Sequence, residues 1–177
     1  MLKSGLIGFG ASVALASMAA ADVTLDLGSH TLTGNQLANA GSHLLVGHVT
    51  GFTITFDYVS NTAGSWASDM VLLIAPPGVA GTAWGGFNTQ FDAPNNGGLW
   101  GFDGAGSAAS GTYTDTKTWD STAGGIWEFG IGNGWTTSPA VSYNNVVLTL
   151  HGSIVPAPGA FALLGLAGLA GSRRRRG

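Results

Sequence analysis

The chain has 177 residues with 6 basic, 9 acidic and no cysteine side chains, and these charges are unevenly placed. Lys3 stands near the start and Arg173, Arg174, Arg175 and Arg176 near the end, so Lys117 alone faces all nine acids and residues 22–154 carry a charge of −8. That balance excludes nucleic-acid binding, which needs a basic stripe to neutralise phosphates. The lack of cysteine excludes a disulfide framework and thiolate-held zinc or iron–sulfur sites.

Met1-Leu2-Lys3 is a short positive region, and residues 6–16 form an uncharged, mostly apolar run. Ala19 and Ala21 then put small side chains at the −3 and −1 positions before Asp22. This is the layout of a secretory signal peptide over residues 1–21, cut by signal peptidase after Ala21. A retained anchor is the alternative, for which the apolar run is short against a hydrocarbon core of ~30 Å.

Residues 22–154 read as one domain of about modal size. They contain 22 glycines, more than twice the usual share of about 7%, yet their apolar periodicity is that of strands. The expected strands, in chain order, begin with 23–27 and 44–49. In 51–58, Phe52, Ile54, Phe56 and Tyr58 then alternate with Thr53, Thr55 and Asp57. Asp69 opens a continuous apolar run to Ile74, stopped by Pro76-Pro77-Gly78, the pattern of a central strand. Further strands are expected at 99–102 and 112–116, around Trp127, Phe129 and Ile131, and around Val146, Leu148 and Leu150. A period of two with β-branched and aromatic residues makes each a half-buried strand. About eight short strands between Gly, Asn and Pro turns predict an all-β domain, a single jelly-roll-like β-sandwich. It would be flanked by an N-terminal signal helix and a C-terminal apolar helix.

After Ile154 come Val155, Pro156, Ala157, Pro158 and Gly159, an apolar stretch over 160–171, Ser172, the four arginines and Gly177. The 18 residues of 155–172 would make a helix of about 27 Å at ~1.5 Å per residue. That length just spans a bilayer, with Arg173 to Arg176 holding its end in the cytoplasm. The segment 155–177 resembles the PEP-CTERM sorting signal of Gram-negative bacteria, which orders a Pro-Glu-Pro-like motif, a short apolar helix and a terminal arginine cluster. Ala157 stands where that family usually has glutamate. The resemblance implies recognition by an exosortase, a membrane cysteine protease that removes the tail and releases or attaches the domain at the surface. A plain, uncut C-terminal anchor is the alternative.

Within the domain, 68–78 and 125–133 are similar to the Asp-apolar-run-Pro-x-Gly and Gly-x-Trp-x-apolar-x-apolar-x-Asp segments of proprotein-convertase P-domain-like jelly rolls. Asn133 replaces the usual aspartate. This resemblance spans roughly 43–152 and implies a fold and an accessory or adhesive role, without an activity of its own.

Residue chemistry gives no catalytic set. His43 and His48 lie five apart, on opposite faces of a straight strand, and neither His-Glu-x-x-His nor Gly-x-Ser-x-Gly occurs among the residues that include His30 and His151. The chain is expected not to be an enzyme, and no cofactor is expected. Asp57, Asp69, Asp92, Asp103, Asp115 and Asp120 offer hard oxygens that suit calcium, though alternation alone already places acids opposite aromatics, and no ligand set stands out. Of the six tryptophans, Trp127 lies in strand periodicity and reads as core. Trp84 and Trp100 stand in Gly-rich stretches, where an exposed indole stacks on a sugar face; core packing is the other reading. The sequence thus points to an exported, non-catalytic cell-surface or extracellular-matrix protein, and the sorting-signal resemblance implies that it contributes to an extracellular polysaccharide layer. The alternative is a carbohydrate-binding sandwich module using Trp84 or Trp100.

Overall fold

The computed structural model describes residues 21–59, 64–86, 95–102, 105–135 and 140–156. They form an all-β chain of eight strands: β1 (Ala21–Leu32), β2 (Leu37–Val59), β3 (Met70–Ala75), β4 (Thr82–Gly85), β5 (Asn95–Gly98), β6 (Gly111–Ser121), β7 (Gly125–Asn133) and β8 (Val141–Pro156). Among the described residues the only helices are short 3-10 turns at Ala67–Asp69 and Ala105–Ala108. Both expected flanking helices lie outside the described residues.

The strands make one sheet in the order β1-β8-β2-β7-β3-β4-β5, with β6 also on β2, and the sheet is not closed. β2 belongs to both of its halves. Residues 37–45 pair with β7, whereas 45–59 pair with β8 on one edge and 49–58 with β6 on the other. β6 and β7 follow one another along β2, Ser121 opposite Val49 and Gly125 opposite Leu45.

Side chains of β1, β8, the end of β2 and β6 meet those of the start of β2, β7, β3 and β4 in one core. Alternation supplies these side chains. Phe52, Ile54, Phe56, Leu148 and Leu150 from one half share a buried cluster with Leu72, Ile74, Phe129 and Ile131 from the other. Phe52 meets Trp84 directly, ring edge to ring face at 5.1 Å. Trp119 of β6 meets Trp127 of β7 in the same way at 5.8 Å.

Two glycines permit a close approach of β2 and β8. Gly47 and Gly152 have φ of 136° and 140°, and a Cβ on either would lie 2.1 Å from a carbonyl oxygen of the opposite strand, Ser153 or His48. Only glycine fits such a close approach at positive φ. A second irregularity lies in β8, where Tyr143 and Val146 both point inward. Asn145 absorbs the extra residue with φ 51°, a conformation asparagine tolerates.

The outward face of the first half is a threonine lattice. Thr24, Thr149, Thr53 and Thr116 stand in register on four neighbouring strands. Their hydroxyls pair as Thr24–Thr149 (3.1 Å) and Thr53–Thr116 (2.8 Å), and Thr55–Thr114 (3.0 Å) repeats the pairing in the next row. Cross-strand hydroxyl pairs stabilise the sheet and keep a charge-poor surface wetted. Asp57 ends the array, accepting from Thr112 Oγ1 at 2.6 Å and Asn145 Nδ2 at 2.8 Å. These bonds hold its carboxyl below the ordinary value of 3.8, and the bonds from His151 and the Gly152 amide do the same for Asp22.

Replacing Gly152 with alanine should lower stability by about 1–3 kcal/mol, seen as a lower urea midpoint with an unchanged slope. Asp22 and Asp57 contribute stability that is complete above the unfolded carboxylate's 3.8 and lost as pH falls through their lower folded values. Asp57→Asn should therefore flatten the acid limb of a stability–pH curve while leaving the shape near neutrality unchanged.

Candidate functional site

Segments 68–78 and 125–133 are neighbours in space. β3 and β7 pair along their lengths, with Met70 opposite Asn133. Asp69 closes the 3-10 turn by accepting from the Trp66 amide at 2.7 Å, and its carbonyl accepts from the Gly134 amide at 2.8 Å. Asn133 is fully buried. Its Nδ2 donates to the carbonyls of Gly34 (3.0 Å) and Trp135 (2.9 Å), while Oδ1 accepts from the Trp135 amide and the Tyr143 hydroxyl, each at 3.3 Å. Two carbonyls facing one side chain require a donor, which is why asparagine rather than aspartate stands here. Burial, with Asp69 and Tyr58 near by, raises the Tyr143 hydroxyl well above its usual range. Gly64, Trp66, Asp69 and Trp135 line a small apolar cleft of about 220 Å³ on this scaffold.

Trp84 and Trp100 are not the exposed platforms that their Gly-rich surroundings suggest. They are 5% and 2% exposed. Residues 99–102 form no strand but a turn held over β6 by the single interior lysine. Lys117 Nζ donates to the Leu99 carbonyl at 2.6 Å and pairs with Asp115 at 2.9 Å, and the Gly101 amide donates to the same carboxylate at 2.7 Å. Lys117 Nζ also lies 5.9 Å from the centre of the Trp100 ring. This strap drives Trp100 inward, where Nε1 donates to the Met70 carbonyl at 2.7 Å. Trp84 is covered by backbone: a Cβ on Gly97 would lie 2.1 Å from its ring. Buried indoles of this kind have no open face for a sugar.

Beside these residues lies a groove of about 350 Å³ between the β4–β5 edge and the end of β6. Thr82, Asn95, Asn96, Trp119, Asp120 and Ser121 line it, above a floor that includes Trp84. Asn95 Nδ2 donates to the Ala80 carbonyl at 3.1 Å, and Asn96 Oδ1 accepts from the Gly98 amide at 2.8 Å. Asp120 Oδ2 lies 3.0 Å from His48 Nε2. Sequence reading ended the β6 strand at Thr116 and so missed Trp119. The period of two that continues through Tyr113, Asp115, Lys117 and Trp119 is the signal that would have found it.

The histidines stay apart: His43 packs edge-on to Phe129 at 5.8 Å, His151 Nδ1 bonds Asp22 at 2.8 Å, and His30 Nε2 bonds the Leu27 carbonyl at 2.8 Å. Among the described residues no three His, Asp or Glu side chains group as metal ligands; Asp92 and Asp103 lie outside them. Ala21 and Asp22 open β1, and Val155 and Pro156 close β8, two residues past the expected end of the domain. Ala19, Ala157, Pro158, Gly159 and Arg173 to Arg176 lie outside the described residues. No helix among the described residues is long and apolar enough to cross a membrane. No family model matches the chain, and no curated protein is similar to it in sequence.

Asn133→Asp should cost about 3 kcal/mol near neutral pH, because it sets a carboxylate against two carbonyls. The deficit should shrink on acidification, when the carboxyl regains a donor; urea denaturation at pH 7 and pH 4 measures both.

Proposed function

We propose that the chain is an exported, non-catalytic cell-surface or extracellular-matrix protein whose cargo is a jelly-roll-like β-sandwich. In this reading signal peptidase cuts after Ala21. An exosortase-type membrane protease then acts at Val155, Pro156, Ala157, Pro158 and Gly159, while Arg173 to Arg176 hold the tail's end in the cytoplasm. The inner membrane is a station in transit, and the cell surface or medium the destination.

The observation that carries this reading is the pairing of Ala21, the first residue of β1, with Ile154, two residues before the end of β8. It brings the start of β1 beside the last part of β8, so the described sheet begins and ends near one place. The core shared by the halves of the sheet, joined by strands that serve both, supports the sandwich. The carbohydrate-binding reading no longer rests on Trp84 and Trp100; its support is the groove beside Trp119.

Intact-mass measurement of the native protein from membrane, surface and medium fractions tests the proposal. The expected surface or medium species begins at Asp22 and ends within 156–159. A sole membrane species retaining Arg173 to Arg176 would make the tail an anchor and end the sorting interpretation.

A further inference from the structure

We propose that the groove between the β4–β5 edge and the end of β6 binds a neutral saccharide chain. This deepens the surface reading by naming what the domain touches, but it rests on the sheet's geometry alone and not on how the tail is processed.

A pyranose ring offers an apolar C–H face and a rim of hydroxyls, so its sites combine an aromatic plane with amide, hydroxyl and carboxylate partners. The groove has that combination. Trp119 is a half-buried indole, fixed from behind by Trp127. Around it stand the amides of Asn95 and Asn96, the hydroxyls of Thr82 and Ser121, and the Asp120 carboxylate. Asn95 and Asn96 are already oriented by their bonds to the Ala80 carbonyl and the Gly98 amide, so binding need not order them. His48 takes Oδ2 of Asp120, which leaves Oδ1 to accept from a ligand hydroxyl. The volume of about 350 Å³ lies within the range of small-molecule sites.

The choice of a neutral chain follows from charge. No basic side chain lines the groove, and Lys117 is committed to Asp115 and Leu99. A uronic or sulfated chain would bring a further negative charge against the Asp120 carboxylate. The Trp66–Trp135 cleft is the poorer candidate: it is apolar and its one carboxylate already holds the Trp66 amide.

The test is affinity electrophoresis of the native exported protein in gels containing a neutral glucan, a galactomannan, soluble chitin fragments or polygalacturonate. Retardation is expected in at least one neutral gel and not in polygalacturonate. Asp120→Ala and Trp119→Ala should each weaken it by about tenfold or more, and Trp66→Ala should leave it unchanged. Trp119 also packs on Trp127, so Asp120→Ala, an exposed position, decides the matter if Trp119→Ala fails to fold. Migration unaffected by every neutral polysaccharide would overturn the proposal, as would retardation that persists in Asp120→Ala or is strongest in polygalacturonate. A tail found uncut leaves this result standing, and a processed chain that binds nothing ends this proposal alone.

Discussion

The structure depends on one strand serving two half-sheets. β2 runs for 23 residues, about four times the length of a common strand, and it changes neighbours as it goes. Its first part pairs with β7 and its last part with β8 and β6. Because side chains alternate along the strand, Phe52, Ile54 and Phe56 keep pointing into the core the other half covers. Along β2 and β8 backbone approaches backbone where a side chain would collide, and Gly47 and Gly152 provide that opening from opposite strands. The high glycine content thus serves, in part, close approach between strands.

Charge is scarce and is spent on fastening. Lys117 and Asp115, both largely buried, fix the turn that drives Trp100 into the core. Asp69 and Asn133 tie the Trp66 and Trp135 segments to β3 and β7. On the outer face, paired threonine hydroxyls take the place that ion pairs hold on more charged proteins. The groove beside Trp119 differs, since several polar groups there converge on a space that the protein does not fill.

Strands with strict alternation were legible in the chain. Phe52 to Tyr58, Trp127 to Ile131 and Val146 to Leu150 each carry the period of two and lie in β2, β7 and β8. The two expected strands at 44–49 and 51–58 proved to be one, because pairing with β8 resumes past a register shift between Val49 and Gly51. β4 and β5 were missed. They are four residues each, Thr-Ala-Trp-Gly and Asn-Asn-Gly-Gly, too short and too rich in glycine and asparagine to show a period. Residues 99–102 have strand-like composition, yet Leu99 is 55% exposed, and their position comes from side-chain anchors 14 to 18 residues away.

The sequence by itself determined the all-β class, the inward face of the main strands and the acidic character of the domain, because periodicity and charge are local properties read one residue at a time. Tertiary structure decided which tryptophans are open. The exposure of an indole depends on what packs over it, and for Trp84 and Trp100 that cover comes from Gly97 and from a turn held by Lys117. It also decided that Trp119, Asp120 and the amides of Asn95 and Asn96 line one groove, since their strands are brought together only by the fold of the sheet across its core.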